Sequence, residues 1–283
     1  MKENLSIQFM VTRVFSLLIL SAITFSVCAS EKLEIPKGPG GKPDLNGVWQ
    51  VLNTANYNLE AHSASASLAM IKGPVVPIPH PSIVALGTVG SVPAGLGVVE
   101  GGTIPYKRGA LKQRDENKKN WIDRDPEIKC YLPGVPRATY MNFPFQIFHS
   151  EKAIFFAYEY AGAVRNIYLE DPGPAPVDSW MGQSWGYWED NTLVIEVTGF
   201  NDQTWFDRSG NFHSDQLKVI EKYTLINNHT MNYEATIEDE KVFTKPWKIS
   251  MTLYKRVGND AQLQQFKCVE FVEELFYGQW RGN

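Results

Sequence analysis

Leu217-Lys218-Val219-Ile220-Glu221-Lys222-Tyr223-Thr224-Leu225-Ile226-Asn227-Asn228-His229-Thr230-Met231-Asn232-Tyr233-Glu234-Ala235-Thr236-Ile237-Glu238 reads as two strands around a tight turn. In the first half, Leu217, Val219, Glu221, Tyr223 and Leu225 share one face, and Lys218, Ile220, Lys222 and Thr224 share the other. That is the period of a half-buried strand. Asn227-Asn228-His229 supplies the turn chemistry, and Met231–Glu238 carries the chain back. Outward from this hairpin the same pattern recurs at Phe145–Phe148, Lys152–Tyr160, Val164–Leu169, Ser184–Trp188, Thr192–Thr198, Trp247–Lys255 and Gln264–Phe271. Asp44–Val51 reads as a leading strand, and Glu189-Asp190-Asn191 as a second hairpin turn. About ten strands with no βα alternation predict a mainly β fold, an antiparallel meander closed as a barrel or a two-layer sandwich, with one short helix and long loops.

The helix is expected over residues 107–121, where strong helix formers carry charge on most faces and Asp125-Pro126 ends the run. Residues 73–99 contain no Asp, Glu, Lys or Arg and hold Pro74, Pro77, Pro79, Pro81 and Pro93. Such a stretch is excluded from helices and central strands, so it reads as a long apolar loop draped over the surface or as a lid over a ligand.

With 43% hydrophobic and 12% aromatic residues, the chain has the material for a packed core. Twenty-seven Lys plus Arg against 31 Asp plus Glu leave a net charge of −4, which argues against nucleic acid as a partner. Lys2 and Arg13, the apolar run Val14–Phe25 and Val27-Cys28-Ala29 have the form of a secretory signal cleaved after Ala29. This predicts a periplasmic or secreted protein of one domain over residues 30–283, with no integral membrane segment after cleavage. A lipidated Cys28 is the alternative. Of three cysteines, Cys130 and Cys268 then remain, an even pair in an oxidising compartment and so an expected disulfide rather than two buried thiols.

Period-2 reading also nominates buried polar residues. Glu221 falls on the apolar face of its strand. Glu159 shares a face with Phe155 and Ala157, opposite Phe156 and Tyr158, and a three-residue turn at Ala161-Gly162-Ala163 would set Arg165 across from it. A Glu159–Arg165 pair is therefore expected. Gly199–Asp215 is longer than a meander needs and brings Trp205, His213 and several aspartates. His213 would act as a general base or pin the loop, and an unpaired inward Glu221 would act as an acid or base. Asp202, Asp207, His213 and Asp215 could in principle meet at a metal, but Asp207-x-Ser209-x-Asn211 lacks the glycine and glutamate of a calcium loop, and no metal is expected. Gly182-Gln183-Ser184-Trp185-Gly186 matches G-x-S-x-G but lies in a strand context rather than a strand-to-helix elbow. Dinucleotide, P-loop, dithiol and zincin motifs are absent, so no cofactor is expected.

Asp125-Pro126-Glu127-Ile128-Lys129-Cys130-Tyr131-Leu132-Pro133-Gly134-Val135-Pro136-Arg137, Trp188–Val194, Gly199–Ser214 and Tyr233–Asp239 resemble a widespread family of secreted bacterial proteins with no established activity. The resemblance runs from about Gly38 to the C-terminus; the family usually has glycine at the position of Asp190. Asn46-Gly47-Val48-Trp49 is similar to the first-strand signature of lipocalin-like barrels. The family resemblance carries no activity; the expected barrel and its polar and aromatic candidates predict binding of a small apolar or aromatic molecule in the barrel interior, with Arg137, Tyr158, Glu159, Arg165, Trp205, His213 and Glu221 as contacts. The competing expectations are a cofactor-independent lyase, isomerase or hydrolase using His213 or Glu221, and a sugar-binding surface built on the Trp180–Trp188 cluster. Oligomeric state is left open.

Overall fold

The computed structural model describes residues 35–65, 92–266 and 268–270, all within one compact unit. The alternation along residues 217–225 is realised: Leu217, Val219, Glu221, Tyr223 and Leu225 are all buried. The strands are β1 (Gly47–Val51), β2 (Phe145–His149), β3 (Ile154–Tyr158), β4 (Val164–Tyr168), β5 (Gln183–Glu189), β6 (Thr192–Thr198), β7 (Lys218–Leu225), β8 (Thr230–Glu238) and β9 (Trp247–Lys255). They pair in sequence order, and β1 pairs with β9 through Trp49↔Lys255, Gln50↔Tyr254 and Val51↔Leu253, which closes the sheet into a barrel.

A closed ring of antiparallel neighbours needs an even number of strands. Nine strands therefore force one parallel junction, and it falls between β4 and β5, where Ile167↔Ser184 and Tyr168↔Trp185 are the paired positions. Parallel neighbours need a crossover, and residues 169–182 return the chain to the end where β4 began. Gly186 permits this seam to pack, because a Cβ there would overlap the Ile167 side chain. Gln264–Phe271 is not the tenth strand expected from its composition: the described residues 264–266 and 268–270 form no strand. Instead Gln264 N–H donates to Glu159 Oε2 (2.7 Å), and Phe266 packs on Phe143 and Tyr160 at centroid distances of 4.6 and 5.3 Å.

One end of the barrel carries the tight turns at residues 150–153, 190–191 and 226–229. The opposite end receives the long connections at residues 52–144, 199–217 and 239–246. Within the first lie α1 (Arg108–Lys119), α2 (Trp121–Arg124) and α3 (Arg137–Tyr140). The helix expected over residues 107–121 is thus α1 with a break at Asn120. Its buried face docks at Gly210, where a Cβ would stand 2.7 Å from Lys118 N, and Asn117 Nδ2 donates to Gly210 O (3.4 Å). All four residues of α3 are buried, and it stoppers the mouth: Thr139 Oγ1 reaches Tyr223 Oη (3.3 Å) and Tyr140 Oη donates to Phe206 O (2.8 Å). Cys130 and Cys268 are disulfide-bonded with Cα atoms 5.7 Å apart, tying the C-terminal segment to this end. The expected signal at residues 1–29 and the first part of the 73–99 loop lie outside the described residues. The described end of that loop pairs with residues 62–65 through Ser65↔Val92 and His62↔Gly95, and meets β9 at Val99↔Ile249. Among the described residues no helix is long and apolar enough to cross a membrane.

Candidate functional site

Tyr158, Arg165 and Glu221, three of the nominated residues, meet inside the barrel. Arg165 Nη2 donates to Glu221 Oε2 at 2.7 Å, with side-chain exposures of 1% and 0%. Tyr223 and Tyr233 hydroxyls donate to the other carboxylate oxygen at 2.9 and 2.8 Å. Arg165 also donates through Nη1 to Tyr158 Oη (3.2 Å), and through Nε and Nη2 to Ser184 Oγ (3.2 and 3.0 Å). Burial works against the guanidinium charge, but Glu221 more than offsets it and raises the Arg165 pKa well above its ordinary value. Burial likewise raises the pKa of Tyr158, Tyr223 and Tyr233, so their hydroxyls stay protonated donors. The ion pair is thus satisfied on both sides, as a buried pair must be to persist. The residues nominated as ligand contacts in the lumen bond to one another.

Arg165 does not pair with Glu159. The chain turns through Glu159–Gly162, with Ala161 at φ 55°, so β3 and β4 align Phe156 with Arg165. Glu159 is left at the rim, and Glu221, 56 residues away in sequence, takes the arginine. The expected contacts do not include Tyr223 and Tyr233; the signal for Tyr223 is its place two residues from Glu221 on the same face. Ser184 belongs to a strand and accepts from Arg165, in keeping with its reading as no nucleophile elbow.

Arg137, Trp205 and His213 lie in the cap over the mouth. Arg137, 2% exposed, donates to Asn56 Oδ1 (2.8 Å), Asp125 Oδ1 (3.2 Å) and Glu127 Oε2 (2.6 Å). Arg208 holds both Glu127 oxygens at 2.8 Å. Burial would raise the Glu127 pKa, but Arg208 and Arg137 outweigh it and bring it to about 2. Asp207 is fully buried; its oxygens accept from Leu59 N (2.8 Å), Ser209 N (2.8 Å) and Asn211 Nδ2 (2.6 Å), yet burial pushes its pKa to about 6. His213 Nδ1 lies 2.8 Å from Ser214 O, which can only accept, so Nδ1 carries the proton and Nε2 accepts from Thr204 Oγ1 (2.6 Å). Burial lowers its pKa, and both ring nitrogens are engaged in pinning the 199–215 loop. Trp205, 7% exposed, bridges to Phe212 within that loop. The four loop residues weighed for a metal do not converge, since Asp215 pairs with Lys241 (2.6 Å) and Asp202 accepts from Gln203 (2.6 Å). Among the described residues no group of three or more His, Cys, Asp or Glu is arranged to hold an ion.

Pockets open to solvent at both gaps in the barrel wall. β1 covers β9 from Leu253 onward and residues 98–100 cover it near Ile249, leaving a groove of about 440 Å3 between Leu52–Ala55, Ala94–Val98 and Ser250–Thr252. A second pocket of about 240 Å3 lies at the β4–β5 seam, between Val164–Asn166 and Ser179–Ser184. A third, of about 540 Å3, is lined by Lys107, Lys218 and Lys245 against Glu238, Asp239 and Glu240, so its charges balance. No family model matches the chain, and no match is found among curated proteins or solved structures.

Proposed function

We propose that this protein is a periplasmic or secreted barrel that binds a small, mostly apolar or aromatic molecule, taken up in the groove beside β9 rather than in the lumen. The observation that carries this reading is the groove itself. Its volume of about 440 Å3 lies in the range of small-molecule sites. Its floor includes Met251 and Ala55, both buried, while Leu52 and Leu96 stand 69% and 98% exposed at its rim. Apolar side chains left in water around a concavity are the signature of a surface awaiting a partner. Asn53 Nδ2 lies 3.4 Å from Met251 Sδ at the floor, and Asn58, Ser250 and Thr252 add polar groups that would orient a ligand. Residues 94–98 form one wall, which gives the end of the proline-rich segment the role of a flap rather than of inert packing. The lumen offers less: Trp49, Phe145, Phe156, Tyr223 and Tyr233 are all fully buried there around the Arg165–Glu221 pair. The Cys130–Cys268 disulfide supports an oxidising compartment.

Titration of the oxidised protein with 1-anilinonaphthalene-8-sulfonate tests the site. One saturable dye site is expected. Thr252→Trp, which fills the groove from an outward position on β9, should weaken it at least about tenfold with far-ultraviolet dichroism and the thermal midpoint unchanged. Asn166→Trp, at the other gap, should leave it unaltered. Equal binding in wild type and Thr252→Trp would overturn the proposal.

A further inference from the structure

We propose that the outer wall at the β4–β5 seam is a binding site for neutral carbohydrate, separate from the groove beside β9. Three aromatic side chains form a row there. The parallel register sets Tyr168 beside Trp185, both pointing outward, and the Trp185 ring lies 5.0 Å from that of Tyr187. Tyr168 is 48% exposed, and Trp185 and Tyr187 are half-buried. The Tyr187 hydroxyl donates to Glu196 (3.3 Å), which fixes its ring against the sheet. Val194, across from Tyr187 on the same outward face, is 1% exposed, so that end of the row is closely packed.

The seam pocket begins where this row ends. Tyr168 lines it together with Asn166, Gln183 and Ser179 and with the exposed apolar Val164 and Val177. Gln183 Nε2 donates to Gly173 O (2.7 Å), which holds that amide plane in place. The one charged residue in the lining, Arg165, has 1% side-chain exposure and is neutralised by Glu221. A charged ligand would therefore meet no counter-charge in the pocket, and beside the row Glu196 is already paired with Lys218; a purely apolar ligand would strand the amides and hydroxyl without partners. A polyol with one apolar ring face satisfies both halves: its C–H face stacks on the aromatic rings and its hydroxyls bond to the amides. The pocket is open along the wall, so a chain of sugars lies along the row rather than entering end-on.

Calorimetry and tryptophan fluorescence on the full oxidised chain, with cellohexaose, maltohexaose, xylohexaose and chitohexaose against hexagalacturonate, decide the matter. At least one neutral hexasaccharide is expected to bind and shift the tryptophan emission, with hexagalacturonate weaker. Tyr168→Ala should weaken binding about tenfold, the scale of one lost aromatic contact. Asn166→Leu, at an exposed position that leaves the core untouched, should do the same, so loss of fold cannot imitate the result. No neutral binding at millimolar sugar, a preference for hexagalacturonate, or affinity indifferent to both substitutions would overturn the proposal.

Discussion

At one end of the barrel the chain turns on contacts between near neighbours: Ser150 Oγ bonds with Ala153, and Asn227 Oδ1 accepts from His229 and Thr230 N–H. At the other, Asp207 accepts from Leu59 N–H across 148 residues, and Arg137 reaches Asn56 across 81. The difference separates two kinds of stability. A local turn fails alone, whereas the cap is a network in which one lost partner unsettles several segments. Both gaps in the wall open beside connections that reach the capped end, so the binding surfaces proposed above border the cooperative half.

Arg137→Met should break this contrast hardest. It leaves Asp125 buried without its arginine and Glu127 with Arg208 alone, and is expected to cost about 3–5 kcal/mol in urea unfolding. A loss below about 1 kcal/mol, the scale of a single turn hydrogen bond, would show the two ends to be alike.

The cap should next betray itself through pH. Asp207 is held at about 6 by burial, so between about 4 and 6 the folded chain keeps a proton that the unfolded chain has released. Stability should fall as pH rises through that window, by on the order of 2–3 kcal/mol, and level off above it. Glu127, lowered to about 2, has the opposite sign: its contribution is present above about 4.5 and is lost as pH falls toward 2. Asp207→Asn should flatten the slope between pH 4 and 6 while leaving the acid limb. An unchanged slope would assign the titration elsewhere.

The smallest effect is expected at the other end. Asp190 turns the β5–β6 hairpin at φ 49°, a region glycine occupies without steric cost. Asp190→Gly should raise the thermal midpoint, corresponding to a gain of about 0.5–1 kcal/mol. A fall would show that the aspartate side chain contributes to the turn.

The same division governs what the amino-acid sequence reveals. Strict alternation over residues 217–225 places Glu221 inside the barrel because the strand period is 2 and the opposite face carries Lys218, Lys222 and Thr224. The turns at Asp190 and at Asn227-Asn228-His229 are legible because their chemistry is local. Nearness along the chain points Arg165 to Glu159, but Ala161 in a left-handed conformation lengthens that turn and shifts the register by an odd number of residues. The partner that closure brings in, Glu221, carries no local signal. The seam is not legible while Gln264–Phe271 reads as a strand, because ten strands close with every neighbour antiparallel and nine do not. Of the residues that mimic a strand there, Phe266 packs on Tyr160 instead, and Cys268 forms the disulfide. The arginine–carboxylate cluster of the cap was represented by Arg137 alone, since Asn56, Glu127 and Arg208 share no spacing.

Pairing of β1 with β9 sets an order of events during synthesis. The ribosome releases β1 first, yet Trp49, Gln50 and Val51 wait for Lys255, Tyr254 and Leu253. Until then β1 and β8 are free edges, and every incomplete chain is an open, sticky sheet rather than a smaller barrel. A stop codon before residue 253 would therefore yield an aggregation-prone product, and the nascent chain has reason to engage a holdase until its last strand arrives.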